Sequence, residues 1–454
     1  MPGFFVLSID SKKYQDDFLD DLSGQTFYQQ HLGEDYAGIA TCKDGKINIR
    51  THRGLFRPTF SNDMAGLEGN MGIGYCGDNR EPILVDSNLG DFAICFSGNI
   101  TNRNELITQL KTCGHSFAWD GVDIELIAKL IAQGEGYIDG IKKMNDEIDG
   151  AYSAAILTPD GIYIASDPSG RWPVVIGEKT GAVAATTDPC GFTNWGFSYK
   201  RDVEPGEIVL LKNDNAKVVS KIPGSKIQIC TFVWVYTNFP NSIFKNVPVS
   251  AVRKRLGAIL AKRDIKRGFI PDVVAPVPDS GRFCAIGYHQ EFCRQMNEKQ
   301  IDRIPEYDEI LIKYPYSGRS YPRSSQAKRN LEAQIKQLRS GENYSGMKVV
   351  VCDDSVRRGT QIERNLVPKL RDLGVSEIHF RISNPDSFSY CRWGKTIQKG
   401  ELLATRIPSI KKRVKFLGID SLEHTTVKEL ARAIGLPLET LCIDCDLPAQ
   451  AELV

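Results

Sequence analysis

The sequence predicts two domains of different class, an α+β layered domain over residues 1–225 and an α/β domain with a parallel sheet over residues 226–454. In the first segment, short apolar segments follow one another with two helical stretches, which is the element order of layered α+β domains. In the second, short apolar strands alternate with helices, as in parallel sheets with crossover connections. A chain of 454 residues with a hydrophobic fraction of 41% can supply both cores.

Two helices and one hairpin define the first half. Residues 101–113 begin at a typical capping residue, and residues 123–133 carry apolar side chains at a helical period. Residues 150–166 alternate as a β-hairpin that turns at residues 159–161. Loop-forming segments between residues 202 and 228 mark the predicted domain boundary.

The second half begins with a predicted helix over residues 248–263, followed by an apolar strand over residues 272–278. A second strand, at 348–352, leads into a loop and a helix at 362–373, and a third strand covers 377–382. Because parallel α/β sheets bind ligands at the carboxyl ends of their strands, we expect the function to lie there.

Composition excludes several classes of protein. The net charge is +1, which predicts neither a nucleic-acid partner nor a membrane-surface partner. No apolar run reaches the ~18 residues of a membrane span, and the first ten residues lack the pattern of a signal peptide. Twelve cysteines without a secretion signal argue against a disulfide framework, so we expect a cytoplasmic protein.

A paired-acid motif follows the second strand. The apolar residues 349–352 run directly into Asp353 and Asp354, so a buried strand presents two carboxylates at the rim of the sheet. The next six residues combine hydroxyls, backbone N–H groups and a glycine before a helix, which favours phosphate binding. Two carboxylates suit sugar hydroxyls and Mg²⁺. A bare Asp-Asp pair is most often a solvated turn, but the whole string favours a sugar-phosphate site with both acids as catalytic and Mg²⁺-binding residues. The predicted phosphate-binding residues are Ser355, Val356, Arg357, Arg358, Gly359 and Thr360.

The string at 349–360 resembles the phosphoribosyl-diphosphate signature of type I phosphoribosyltransferases. The rest of the second half is similar to the glutamine phosphoribosyl-diphosphate amidotransferases, which make 5-phosphoribosylamine at the start of purine synthesis. The resemblance implies that Asp279, Ser280 and Gly281 form a diphosphate loop, with Ser280 close to Mg²⁺. It also implies departure of diphosphate from the ribose and attack by an amine on an oxocarbenium-like carbon, with catalysis mostly by positioning and charge stabilisation.

The segment between residues 313 and 329 is similar to the flexible loop that closes over the substrate in that family. The resemblance implies that Lys313 and Arg319 approach the leaving diphosphate as catalytic residues. It also implies that Tyr316 and Gln326 bind substrate. Closure would exclude water from a reactive sugar cation. The composition of the segment alone predicts only a basic, mobile loop.

Some residues depart from the family pattern. Gln361 replaces a Thr common at the end of the signature, and Arg357 adds a charge. Val233 and Phe239 stand where the family usually has Glu and Arg, in a strip near the domain junction of relatives. The acceptor and the coupling to the first half are therefore less well defined by the sequence than the sugar donor.

The late Cys442-x-x-Cys445 pair is a weak signal alone, consistent with a zinc half-site, a redox pair or no site. One branch of the family carries a [4Fe–4S] cluster on four cysteines, and the resemblance places Cys230, Cys391, Cys442 and Cys445 at those positions. Such a cluster would fix the C-terminal tail to the core, although the segment before Cys442 is shorter than in relatives. A Cys₄ Zn²⁺ site is the alternative.

The first half resembles the N-terminal-nucleophile glutaminase domain of the same family, which implies a four-layer αββα sandwich. In that family an N-terminal Cys attacks glutamine with its own α-amine as base. Pro2 stands where that Cys is expected, and no Cys occurs before Cys42. The matching segments are residues 31–41, 69–74, 97–102, 123–125, 167–170 and 203–207.

Other glutaminase positions have also changed. Gly77 stands where the family has the Arg that holds the substrate carboxylate, Ser97 replaces the oxyanion Asn, and Leu32 replaces an Arg. The family's Gly98, Asn99 and Asp123 remain. Cys76 lies near this pocket in sequence and could be proposed as a substitute nucleophile, but an ordinary semi-buried Cys is the preferred interpretation.

We therefore expect a Mg²⁺-dependent enzyme that transfers the 5-phosphoribosyl group of phosphoribosyl diphosphate to ammonia or another amine, without using glutamine. The first half would be a scaffold, an oligomer contact or a ligand sensor. By resemblance, the protein would form a homo-oligomer and respond to nucleotide effectors. The alternatives are a non-catalytic regulatory protein that binds phosphoribosyl diphosphate or nucleotides, and a glutamine-dependent enzyme with a longer natural N-terminus.

Overall fold

The computed structural model describes residues 2–118, 123–224, 226–315, 337–394 and 400–447. The first half contains two antiparallel sheets. One has seven strands in the order β11-β9-β10-β1-β4-β2-β3, and the other has six in the order β13-β12-β8-β7-β6-β5. These strands are Gly3–Ile9 (β1), Tyr36–Lys43 (β2), Lys46–Arg53 (β3), Met71–Gly77 (β4), Ile83–Val85 (β5), Phe92–Ile100 (β6), Gly150–Thr158 (β7), Gly161–Ser166 (β8), Val175–Lys179 (β9), Ala182–Thr186 (β10), Ser198–Asp202 (β11), Glu207–Lys212 (β12) and Asn215–Lys221 (β13).

The two sheets pack face to face, and helices cover their outer faces. Successive side chains of β1 point to opposite faces: Phe4 and Val6 enter the core between the sheets, whereas Phe5 and Leu7 enter the core under the outer helices. The helices are Phe18–Phe27 (α1), Phe56–Phe60 (α2), Arg103–Thr112 (α3), Asp123–Ile131 (α4) and Tyr137–Glu147 (α5). The αββα sandwich implied by the resemblance is confirmed.

The second half is built on a five-stranded parallel sheet in the order β18-β17-β21-β22-β23. Its strands are Val273–Pro276 (β17), Glu306–Tyr307 (β18), Lys348–Asp353 (β21), Glu377–Ile382 (β22) and Ser421–His424 (β23). Short pairs join Ile229–Cys230 (β14) to Leu441–Cys442 (β24), Ile243–Phe244 (β15) to Val247–Pro248 (β16), and Leu311–Lys313 (β19) to Gln337–Arg339 (β20).

Helices cover both faces of the parallel sheet, because its strands are apolar on both faces. They are Val249–Lys266 (α6), Arg282–Asn297 (α7), Val367–Asp372 (α8), Leu403–Arg406 (α9), Ile410–Leu417 (α10) and Val427–Ile434 (α11). Along β21, Val350 and Cys352 pack with α6 and α7, whereas Val349 and Val351 pack against α8 and α10. The predicted parallel α/β class is confirmed.

The predicted hairpin and the three predicted strands of the second half are present. The predicted helix at 362–373 begins with a π turn, Ile362–Leu366, before α8. The prediction of two helices in the first half is wrong, since the described residues also include α1, α2 and α5. In the described part of the chain, every helix is too short or too polar to span a lipid bilayer.

Candidate functional site

The paired acids lie where β21 ends. Asp353 and Asp354 are both buried. The Ser280 hydroxyl donates to Asp353 Oδ1 at 2.8 Å, and the N–H of Asp354 donates to the same oxygen at 2.8 Å. The Ser355 hydroxyl donates to Asp354 Oδ2 at 2.9 Å. The structure thus brings together one hydroxyl from the predicted diphosphate loop and both predicted acids.

Burial raises the pKa of Asp353 well above its ordinary value, and the adjacent Asp354 raises it further. Two buried carboxylates side by side oppose each other's ionisation. A divalent cation coordinated by both oxygens would relieve that repulsion, and oxygen ligands of this kind suit Mg²⁺. The donor set fits the predicted Mg²⁺ site.

The diphosphate loop is packed against the acid-bearing strand. Pro276 is the register partner of Cys352, and the N–H of Val277 donates to the Cys352 carbonyl at 2.8 Å. A Cβ atom on Gly281 would lie 1.9 Å from that same carbonyl oxygen, so only glycine allows the two segments to approach. This close approach brings Ser280 to Asp353.

The phosphate loop, residues 355–360, is held by residues that lie outside the parallel sheet. Gly359 has a φ of 78°, a left-handed conformation that favours glycine. Arg358 pairs with Glu401 through its Nε at 3.1 Å, and the N–H of Leu403 donates to the Arg357 carbonyl at 2.7 Å. The loop is therefore held by contacts of Arg357 and Arg358 with residues 401–403.

Lys313 reaches the diphosphate loop, where its Nζ lies 2.6 Å from Asp279 Oδ2. Arg282 also approaches Asp279, at 3.3 Å, and pairs with Glu309 at 2.8 Å. Two cations therefore flank the loop predicted to bind diphosphate. The predicted residues Tyr316, Arg319 and Gln326 lie outside the described residues.

The four predicted cluster cysteines converge although their sequence positions are far apart. Cys230 and Cys442 are register partners in the β14–β24 pair. The carbonyl of Cys445 accepts from the N–H groups of Phe388 and Ser389 at 3.0 and 3.1 Å, which brings it to the segment that carries Cys391. None of the four forms a disulfide.

Burial raises the pKa of all four thiols, to about 12 for Cys442, and neighbouring cysteines raise it further for Cys230, Cys442 and Cys445. Thiolates in such a place need a metal to hold them. Cys230 and Cys391 pack against Cys442 in one cluster.

The residues at the predicted glutaminase positions contact other parts of the chain. Pro2 is buried, and its carbonyl accepts from the Ser97 hydroxyl at 2.7 Å. A Cβ atom on Gly3 would lie 2.8 Å from side-chain atoms of both Gln29 and Leu32, so those side chains press on the first strand. The remaining family residues have structural partners: Asp123 pairs with Arg103 at 2.8 Å, and Asn99 donates to the Arg392 carbonyl at 2.8 Å.

Cys76 lies opposite Gly3 in the β1–β4 ladder and is completely buried, whereas a semi-buried Cys was predicted. Burial raises the pKa of its thiol, which contacts the Thr26 carbonyl at 3.4 Å. A buried thiol of this kind is a poor nucleophile, since the thiolate is the reactive form.

A third group of potential ligands, which the sequence did not predict, is formed by His31, Asp188 and Cys190. Asp188 is completely buried, and its two oxygens already accept from the N–H groups of Cys190 at 3.0 Å and Phe239 at 2.8 Å. Its other neighbours are the Ser242 hydroxyl and His31 Nε2, the latter at 2.7 Å. Because both oxygens are committed, the group joins the two halves instead of offering an open metal site. His31 lies 157 residues from Asp188 in the sequence, so no local pattern reveals the group.

The layered first half and the rim site of the second half define a class of protein: a type I phosphoribosyltransferase domain joined to a glutaminase-type domain. Comparisons with known proteins agree. Residues 73–190 match the family model described as "Glutamine amidotransferase domain". The amidophosphoribosyltransferase of Methanocaldococcus jannaschii is 32% identical over 449 residues, covering 92% of this chain and 91% of that protein. The chain therefore belongs to the amidophosphoribosyltransferase family.

Two further comparisons support this assignment. The amidophosphoribosyltransferase of Bacillus subtilis is 31% identical over 419 residues, covering 89% of this chain and 85% of that protein. A solved glutamine phosphoribosylpyrophosphate amidotransferase from B. subtilis, complexed with ADP and GMP, superposes with a TM-score of 0.84 at 29% identity. That match covers 98% of this chain and 96% of the other.

Proposed function

We propose that this chain transfers the 5-phosphoribosyl group of phosphoribosyl diphosphate to ammonia or another amine, with Mg²⁺, and does not hydrolyse glutamine. The observation that carries the transferase proposal is the contact of Ser280 with Asp353 beside Asp354, under a fixed phosphate loop. The proposed domains are residues 1–225 and 226–454, and the proposed partners are the donor and the amine.

In this proposal each group of the rim site has a role. Asp353, Asp354 and Ser280 would hold Mg²⁺ against the ribose hydroxyls and the diphosphate, and the metal would neutralise the charge that the leaving diphosphate acquires. Residues 355–360 would bind the 5-phosphate through backbone N–H groups. Lys313, released from Asp279 by the substrate, would approach the diphosphate together with Arg319. Catalysis would then rest on positioning and charge stabilisation.

The loss of glutamine hydrolysis is supported by internal residues of the first half. The hydroxyl of Ser97 is occupied by the Pro2 carbonyl, so it offers no oxyanion donor. Gly77 has no side chain to hold a substrate carboxylate, and the thiol of Cys76 is buried. Glutamine hydrolysis needs a nucleophile, a base and an oxyanion donor together.

We also propose a [4Fe–4S] cluster on Cys230, Cys391, Cys442 and Cys445. This proposal is supported by the packing of Cys230 and Cys391 against Cys442, at positions that the resemblance gives for such a cluster. A Cys₄ Zn²⁺ site is the alternative. When bound, a cluster would join β14, β24 and the Cys391 segment. We further propose a homo-oligomer that purine nucleotides such as ADP and GMP inhibit, in analogy with the nucleotide-bound B. subtilis protein.

One assay tests the function. Protein purified anaerobically receives phosphoribosyl diphosphate and Mg²⁺ with either glutamine or ammonium, and diphosphate release is followed with and without ADP and GMP. Turnover with ammonium but not glutamine is the expected result. Glutamine-dependent turnover would overturn the first-half proposal.

The alternative function is a non-catalytic regulator that binds the donor or nucleotides. It is favoured by Phe239, whose side chain is 51% exposed at the junction, where the family usually has an Arg. Measurable donor binding without release of diphosphate for any amine would support this alternative.

A further inference from the structure

Two short connections link the four-cysteine site to the sugar-phosphate site. The first passes through Asn384, which is completely buried just after β22. The backbone N–H of Asn384 donates to the Asp354 carbonyl at 2.8 Å, and its side-chain amide donates to Asp446 Oδ1 at 2.9 Å. Asp446 follows Cys445 directly, and the Cys445 thiol lies 3.7 Å from the same oxygen. Two residues, Asp446 and Asn384, thus connect Cys445 to the backbone of Asp354.

The second connection passes through Arg357. Its backbone belongs to the phosphate loop and is fixed by the Leu403 N–H. Its guanidinium, however, lies over the ring of Phe232, with Cζ 4.3 Å from the ring centroid. Phe232 is two residues after Cys230, so this side chain leaves the phosphate loop toward the cysteines.

Asp446 lies where the two connections meet. It is 3% exposed, and Oδ1 also accepts from the Ser387 hydroxyl at 3.3 Å. Its Oδ2 has no hydrogen-bond partner within the described part of the chain, and the positive charge of Arg357 acts on the carboxylate. Burying a carboxylate this deeply costs free energy of folding unless an opposite charge and hydrogen bonds compensate it.

We propose that Asn384, Asp446 and Arg357 are positioning residues that hold Asp354 and the phosphate loop in register with the four-cysteine site. Loss of the metal group bound by the cysteines then loosens the phosphate loop and weakens donor binding, without any contact between that group and the donor. This proposal rests on the proposed function in naming phosphoribosyl diphosphate as the donor and in placing a [4Fe–4S] cluster on the four cysteines.

The first measurement is donor affinity. Holoprotein and variants are purified anaerobically, their iron, sulfide and zinc contents are measured, and phosphoribosyl diphosphate with Mg²⁺ is titrated by calorimetry. Asn384→Ala and Asp446→Ala should weaken binding about tenfold with metal content retained, as expected for loss of one buried hydrogen bond. Asp446→Asn keeps an acceptor oxygen for Asn384 and should restore most of the affinity. Asp202→Ala, which removes a buried carboxylate of the first half, is the matched control and should stay within about twofold of the parent.

The second measurement needs no donor. Hydrogen–deuterium exchange is followed at residues 354–360 before and after the bound iron is removed with ferricyanide and EDTA. Removal should speed exchange in the parent protein. In Asn384→Ala and in Arg357→Met, exchange at residues 354–360 should already be faster than in the parent before the iron is removed. Iron removal should then increase it less, because one of the two connections is already lost.

Unchanged exchange of the phosphate loop on iron removal from the parent protein would overturn the proposal, whether or not the variants fold. So would folded Asn384→Ala and Arg357→Met proteins with the parent's exchange rates. If the parent binds no donor but exchange responds as expected, the positioning role stands and the proposed function fails.

Discussion

The carboxyl group of Asp353 accepts from Ser280 and from the Asp354 N–H on one oxygen, beside a second carboxylate. This arrangement is unfavourable for the isolated protein, because burial and Asp354 both disfavour ionisation of Asp353. A site that is unfavourable when empty and suited to a divalent cation is typical of functional carboxylate pairs.

Asp353→Asn should abolish Mg²⁺-dependent donor binding and diphosphate release, since the substitution replaces an anionic ligand of Mg²⁺ by a neutral amide. The same change should not lower the melting temperature, because it removes like-charge repulsion from a buried pair. Calorimetric titration and a thermal melt measure the two effects. Diphosphate release that survives the substitution would refute the assignment of the site.

Gly281→Ala should weaken donor binding by at least about tenfold, because the new methyl group would meet the Cys352 carbonyl at 1.9 Å and displace Ser280 from Asp353. Gly341→Ala is the matched control: no atom lies within 4 Å of its added Cβ, and its φ is not positive. Calorimetry measures the donor affinity of both variants. Equal affinities would show that the diphosphate loop accommodates the added methyl group.

Helix α11 begins with a capping box in which Thr426 and Glu429 satisfy each other's backbone N–H groups. Glu429 also pairs with Arg263 on α6, so the box joins two helices. Burial opposes ionisation of Glu429, but Arg263 and the Thr426 hydrogen bonds leave its pKa below its ordinary value. A carboxyl whose pKa is lowered by folding stabilises the protein above its unfolded pKa, and this stabilisation is lost as the pH falls through the folded pKa.

Glu429→Gln should therefore lower the free energy of unfolding by about 1 kcal/mol at pH 7, the size of a cap and a partly exposed ion pair. The difference between the variant and the parent should shrink as the pH falls below the unfolded pKa of about 4.3, and it should disappear only below the lowered pKa of folded Glu429. Urea unfolding at pH 7 and at the lowest pH at which the parent stays folded measures it. A difference that is the same at both pH values would assign the effect to packing.

Elements with a clear pattern in their own residues were predicted from the sequence, such as the hairpin at 150–166 and the strand that ends in Asp353. Helices α1 and α5 were missed because each contains a glycine. A Cβ on Gly24 would lie 2.0 Å from the Trp195 ring, and one on Gly140 would lie 2.1 Å from the Ile131 carbonyl. These glycines weaken the helical signal and permit close packing, so tertiary contacts that no local pattern contains stabilise both helices.

The same contrast holds for the candidate site, where a local pattern predicted some residues and only long-range contacts reveal the others. Residues 353–360 are contiguous, so their pattern was visible in the sequence. The contact of Ser280 with Asp353 spans 73 residues, and the resemblance alone supplied it. The connection through Asn384 and Asp446 spans 62 residues and has no local signal, because each residue is an ordinary buried polar group until its partner is placed.

The two halves of the molecule share one hydrophobic core. Phe5 and Leu22 of the first half pack in the same cluster as Trp234 and Leu430 of the second. Beside this core, Asp188 of the first half accepts from the N–H of Phe239 and the hydroxyl of Ser242. The shared core predicts cooperative unfolding of both halves, and the buried carboxylate supplies the polar contacts that fix their relative position.

Asp188→Ala should lower the free energy of unfolding by about 3–5 kcal/mol, because it leaves His31, Ser242 and the Phe239 N–H without their buried partner. Asp214→Ala is the matched control. Its carboxylate forms an exposed pair with Lys13 at 2.7 Å, and its loss should cost at most about 1 kcal/mol. Urea unfolding followed by tryptophan fluorescence compares them. Trp119, Trp172 and Trp195 belong to the first half of the sequence, and Trp234 and Trp393 belong to the second. If Asp188 joins the halves as inferred, the variant's transition will move to lower urea and broaden or split. A loss of stability no larger than that of Asp214→Ala would show that the hydrophobic core alone holds the halves together.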